Sequence, residues 1–209
     1  ALRILPLLSF APPPAVGPGA DGRLRIGYLS SDLGQHTTGT NVAGIFRRHD
    51  RRRVHVFAYA TSPHDGSPTR DRIEGDVETM RTCHALSTAQ LAFAINADGV
   101  HVLVDFNGHT LGARSHAVAL RPAPITVFDQ GFAGSSGGVA THLAADRVSL
   151  PPEYVAATAT ERILLMPAFS NPLNNHRDAS AYVAAPDPHR RYTRAALGLP
   201  EGGGGGGGA

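Results

Sequence analysis

The sequence predicts a doubly wound α/β domain, a Rossmann-like parallel sheet with helices on both faces. Three observations carry that expectation. Short apolar, strand-like runs recur at 24–29, 54–60, 100–106, 125–128 and 162–166. Helix-like stretches lie between several of them, at 41–48, 68–74 and 87–97, and strand–helix–strand order implies parallel pairing through right-handed crossovers. The run Val100-His101-Val102-Leu103-Val104 is almost continuously apolar, as a strand covered on both faces has to be.

With 209 residues and 42% hydrophobic content, the chain suits one well-buried domain better than two. Residues 1–22, with Pro12, Pro13 and Pro14 and then scattered glycines, read as a lead-in or linker. Pro6 interrupts its greasy start and no signal-cleavage pattern follows, so it reads as the cut end of something longer. The first strand runs straight into Ser30, Ser31, Asp32, Gly34, His36, Thr37 and Thr38. Ionisable groups gathered at the carboxyl end of a strand are where such folds place their chemistry. The first helix, 41–48, closes in the basic run 47–53, and the helix dipole favours cations there. No aromatic residues interleave with that run, so it reads as a solvated helix end rather than a nucleic-acid patch. The helix at 87–97 has Ser87 as its N-cap, with Leu91, Phe93, Ala94 and Ile95 apolar.

Three loops therefore project from one sheet edge: 30–40, 107–114 and 131–138. The domain covers 23–170. Residues 171–209 read as a linker with one more short helix at 192–198 and a flexible tail of seven glycines, 202–208.

Composition excludes several classes of function. One cysteine rules out a disulfide framework and a multi-cysteine zinc site. No apolar run reaches the roughly 20 residues that cross a bilayer, so no membrane partner is expected. The formal net charge is +2 and all 19 basic residues are Arg, a weak case for a polyanion partner, and no nucleic acid is expected. His101, His109 and His116 lie scattered over strand, loop and helix without partners at ligand spacing, so no metal is expected.

The collinear motifs SSDLGQHTT, FNGHTLGAR, ALRPAPI, GFAGSSG and ADRVSLPPE resemble the amino-terminal catalytic lobe of the protein O-GlcNAc transferases, Spindly-type relatives included, over residues 23–167. The resemblance implies one lobe of a two-lobed GT-B glycosyltransferase, located in cytosol or nucleus. It implies inverting transfer of N-acetylglucosamine from UDP-GlcNAc to Ser or Thr of acceptor proteins. No cofactor beyond the sugar nucleotide is implied, and a carboxyl-terminal lobe, absent here, is the expected partner that holds most of the nucleotide. The alternatives are protein O-fucosylation from GDP-fucose, or a degenerate, non-catalytic binding domain.

By that resemblance His36 is a base or a sugar-orienting group and Asp32 a carboxylate for proton relay. An imidazole is the side chain suited to accept a proton near neutral pH. The alternatives stay open: His36 caps the helix, Asp32 braces the turn, or the donor's phosphate is the base. Thr37 and Thr38 stand at a helix start, as donor contacts or as N-cap residues. Asn107, Gly108 and His109, with Thr110, contact acceptor or cleft, or form a turn braced by its own side chains. Arg121 reads as structural. Gln130 and Gly131 fall near the sugar pocket, where the family has leucine and glycine. Asp129 and Gln130 depart from the family's Trp-Leu and put donor choice and activity in question.

Overall fold

The computed structural model describes residues 22–129, 134–166 and 193. The expected lead-in, the linker, the helix at 192–198, the glycine tail, Gln130 and Gly131 lie outside the described residues. All the elements belong to one unit, Ala1–Asn175; of the other, His176–Ala209, only Thr193 is described.

Seven strands form one sheet: β1 Leu24–Ser30, β2 Val54–Ala60, β3 Thr79–Thr82, β4 Val102–Asp105, β5 Ile125–Phe128, β6 His142–Ala145 and β7 Arg162–Leu165. Their order is β3-β2-β1-β4-β5-β6-β7 and every pairing is parallel. The helices are α1 Thr37–Val42, α2 Pro68–Asp76, α3 Thr88–Ala97, α4 Ser115–Ala119 and α5 Val155–Thr158. The α/β parallel architecture is as the sequence predicts.

Side chains alternate across a strand, so β1 feeds two cores at once. Leu29 joins Tyr59, Leu103, Leu91 and Ile95 of α3 and Val118 of α4 on one face. Tyr28 joins Val56, Phe106, Val42 of α1 and Ile73 of α2 on the other. Helices therefore cover both faces, which is why β1 and β2 lack the polar-out pattern of a half-exposed strand.

Several elements differ from expectation, α5 among them, which no expected helix covers. β3 and β6, reading TMRT and HLAA, are short and carry little apolar signal, and it is pairing with β2 and β5 that makes them strands. The first helix begins four residues early, because His36 has extended backbone and caps it, and it ends at Val42. A separate 3₁₀ turn, Phe46–Arg48, follows. The basic run is divided: Arg47, Arg48, Arg52 and Arg53 are exposed, whereas the half-buried Arg51 donates to Phe46 O and Asp76 O and pairs with Glu78 at 2.9 Å. Ser87 caps α3 as expected, in a reciprocal capping box with Gln90.

Candidate active site

The sheet order reverses beside β1. The chain leaves β1 by α1 on one face and leaves β4, its neighbour, by α4 on the other. Loops after these two strands must diverge, and the crevice between them is the switch point where open α/β sheets bind ligands. Asp32 and His36 come from the β1 loop; Asn107, Gly108 and His109 come from the β4 loop.

The β1 loop turns at once. The Ser30 hydroxyl, fully buried, accepts the Asp32 N–H at 2.9 Å. Ser31 donates its N–H to Asn107 Oδ1 at 2.7 Å and its hydroxyl to Asp32 Oδ1 at 2.8 Å. Asn107 Nδ2 donates to Asp32 Oδ2 at 2.9 Å and to Ser31 Oγ at 2.9 Å. Both Asp32 oxygens are thus held, and its side chain is 17% exposed.

His36 stands 3.6 Å from Asp32 Oδ2, with its ring about half exposed. Its Nδ1 accepts the Thr38 N–H at 3.2 Å, so His36, and neither Thr37 nor Thr38, is the N-cap of α1. The reason is geometric: His36 is the last extended residue before the helix, and its Nδ1 reaches the second helical N–H as an Asn oxygen would. An Nδ1 that accepts leaves the ring proton on Nε2, so in this arrangement the free ring nitrogen is a donor. Thr37 is exposed at the helix start and Thr38 half-buried.

A second loop supports this turn from outside. Asp65 Oδ2 accepts the Gln35 N–H at 2.7 Å, and that bond, with those from Ser67, holds its carboxyl at about 2. Arg70, 1% exposed, donates to Leu33 O at 3.1 Å while Glu74 pairs with its Nε at 2.9 Å. The two clefts that flank His36 are about 470 Å³, lined by Gln35, Thr37, Thr40 and Asn41, and about 360 Å³, lined by Asp32 and the 62–65 loop.

On the β4 loop, Asn107 is 1% exposed and its carboxamide bonds within the protein, bracing the turn after β1. Gly108, at φ 62°, makes the left-handed turn that follows, and the exposed His109 ring packs 5.5 Å from Phe128. Asp105 lies beneath, accepting the Asn107 N–H at 3.0 Å. Burial pushes its carboxyl up to about 6, against hydrogen bonds from Asn107 and Gly108 and the charge of His109. The described end of the third loop is gathered by Glu161, which accepts from Ser135 Oγ at 2.8 Å, the Ser136 N–H at 2.6 Å and the Ser136 hydroxyl.

Sequence reasoning missed Ser31 as a linker and Asp65, Arg70, Asp105 and Glu161 as supports. Asp105 had a signal, a charge ending an apolar strand. Arg70 and Glu161 had none as supports, since the Leu33 carbonyl and the Ser136 amide that they hold lie 37 and 25 positions away.

A doubly wound sheet with ionisable groups collected at its switch point defines the class: a Rossmann-like ligand-binding lobe. The model of Glycosyl transferase family 41 matches residues 10–181, and the chain belongs to that family. The chain is 35% identical over 184 residues to the probable UDP-N-acetylglucosamine–peptide N-acetylglucosaminyltransferase SEC of Arabidopsis thaliana, covering 88% of this chain and 18% of that protein. It is 40% identical over 152 residues to the Caenorhabditis elegans UDP-N-acetylglucosamine–peptide N-acetylglucosaminyltransferase, covering 69% of this chain and 13% of that one. A solved O-GlcNAc transferase mutant of Thermobaculum terrenum superposes with a TM-score of 0.68 at 31% identity, over 76% of this chain and 31% of that structure. The chain thus spans less than a third of the length of each of these relatives.

Proposed function

We propose that this chain is the amino-terminal lobe of an inverting protein glycosyltransferase that moves N-acetylglucosamine from UDP-GlcNAc to Ser or Thr hydroxyls of acceptor proteins. The observation that carries the reading is the meeting of Asp32, His36 and the Asn107 loop across the β1/β4 crevice. Family membership and the relatives' names support the donor. The SEC and Caenorhabditis elegans relatives, at 35% and 40%, are closer than the SPINDLY relatives at 23–28%.

Sugar transfer passes through an oxocarbenium-like state as a diphosphate leaves, so the site has to orient the acceptor hydroxyl, receive its proton and stabilise departing charge. His36, with Nδ1 engaged by Thr38, offers Nε2–H to a sugar or phosphate oxygen. Asp32, held by Ser31 and Asn107, offers lone pairs to a proton. Thr37 and Thr38 stand at the start of α1, beside the His36 ring. By the family's motif Gln130 and Gly131 are assigned to the donor, and a second lobe holds the nucleotide.

The test is a titration of the ¹⁵N-labelled chain with UDP-GlcNAc and with GDP-fucose, together with a transfer assay on the chain joined to the carboxyl-terminal lobe of the Thermobaculum terrenum relative. UDP-GlcNAc is expected to move the amides of Gln35 to Thr38 and of Gly108 and His109, and the joined protein to glycosylate a Ser/Thr peptide. A response to GDP-fucose alone, or no transfer from either donor, overturns the reading.

A further inference from the structure

Asp105 is 1% exposed, titratable, and takes no direct part in the transfer step. Its Oδ1 accepts the Asn107 N–H, and its Oδ2 is buried with no hydrogen-bond partner among the described residues. A carboxyl placed so is costly, and the fold retains it at the end of the strand adjacent to β1.

What it holds is specific. Asn107 has its backbone on Asp105 and its carboxamide on Ser31 and Asp32. Asp32 in turn stands beside His36. The turn at Gly108, with φ 62°, is closed by Thr110, whose hydroxyl donates to Asn107 O at 2.9 Å. A chain of short bonds therefore runs from the floor of the sheet to the reacting groups. The charged and titratable groups around Asp105 are His109 on its own loop, Asp32 across Asn107, and Asp129 at the end of β5, whose N–H donates to Asp105 O at 3.0 Å.

The geometry points to Asp105 as a positioning residue of the transfer site, a buried carboxyl that fixes the Asn107 backbone and thereby sets where the Asp32 carboxylate stands beside His36. This assignment rests on the reading of Asp32 and His36 as the reacting pair. A structural strut alone would hold the loop's stability without governing the state of Asp32 and His36.

Side-chain NMR on the chain itself separates the two and needs neither donor nor acceptor, so a failed transfer assay and a failure here are distinct results. In Asp105→Ala, water exchange of the Asn107 Nδ2 protons is expected to rise about tenfold, the loss of one good hydrogen bond. The Asp32 carboxyl carbon and the His36 ring nitrogens then leave their wild-type shifts. Asp105→Asn retains an Oδ1 acceptor for the Asn107 N–H and is expected to restore all three signals. Unchanged Asp32 and His36 signals in folded Asp105→Ala overturn the proposal, as does failure of Asp105→Asn to restore them. Where Asp105→Ala does not fold, Asp105→Ser, which keeps a polar side chain but not the Oδ1 position, takes its place. Asp32 and His36 signals that leave their wild-type shifts in that variant support the proposal; unchanged signals overturn it.

Discussion

Asn107 uses its carboxamide on four partners, Ser31 N–H, Ser31 Oγ, Asp32 Oδ2 and Thr110 Oγ1. Asn107→Ala strands a partly buried N–H and frees a carboxylate, and is expected to cost about 1–3 kcal/mol in urea unfolding. The substitution Asp105→Asn has a pH signature. A carboxyl whose folded value is raised to about 6 from 3.8 burdens the folded state above pH 6, and the burden fades as pH falls toward 4. The gap corresponds to roughly 3 kcal/mol at most. The variant's gain in Tm over wild type is therefore expected to be larger near neutral pH than near pH 4, and an equal gain at both would remove the burial argument. His36 caps α1, and in the proposed reading its ring also serves the transfer. Asn is a good N-cap, so His36→Asn is expected to leave stability nearly unchanged while transfer by the joined two-lobed protein falls about 10²–10³-fold, the loss of one donor to developing charge.

Elements are set by local signals where those are strong and by neighbours where they are weak. The α3 capping box is local: Ser87 Oγ accepts the Gln90 N–H while the Gln90 side chain returns to the Ser87 N–H. Ser87→Ala is expected to cost about 1 kcal/mol, read from the urea midpoint. The third loop is gathered instead by a residue more than twenty positions on. Burial of Glu161 acts to raise its carboxyl, yet hydrogen bonds from Ser136 and Ser135 outweigh it and hold the group at about 2. Its folded value lies below 4.5, so its contribution is present above about pH 4.5 and is lost as pH falls toward 2. At neutral pH, Glu161→Gln is expected to speed hydrogen exchange of the Ser136 amide while leaving α3 protected. The same contrast explains the boundary of α1. Asn41 onward has helical composition, but the cap chemistry of His36 starts the helix at Thr37.

At the scale of the molecule, the parallel sheet was legible because both cores draw on continuous apolar strands, and a chain so patterned has to cover two faces. β3 and β6 were not legible: TMRT and HLAA become strands only by pairing with β2 and β5. The position of the crevice was half legible. A loop rich in Asp, His, Ser and Thr after β1 marks one wall, and Asn107, Gly108 and His109 mark the other. That the two walls adjoin follows from β1 pairing with β4, which the order of strands along the chain does not state.

The sequence by itself determined the α/β class, the cap of α3, the loop that carries Asp32 and His36, and the family whose motifs it shares. These rest on local periodicity and short-range chemistry. Only the tertiary structure decided that Asn107 is spent bracing Asp32, that Asp105 is buried beneath it, and that Arg70 and Glu161 hold the loops from afar. Those contacts join residues between 25 and 76 positions apart for Glu161 and for Ser31 with Asn107, and how they fall depends on strand order and packing rather than on neighbours in the chain.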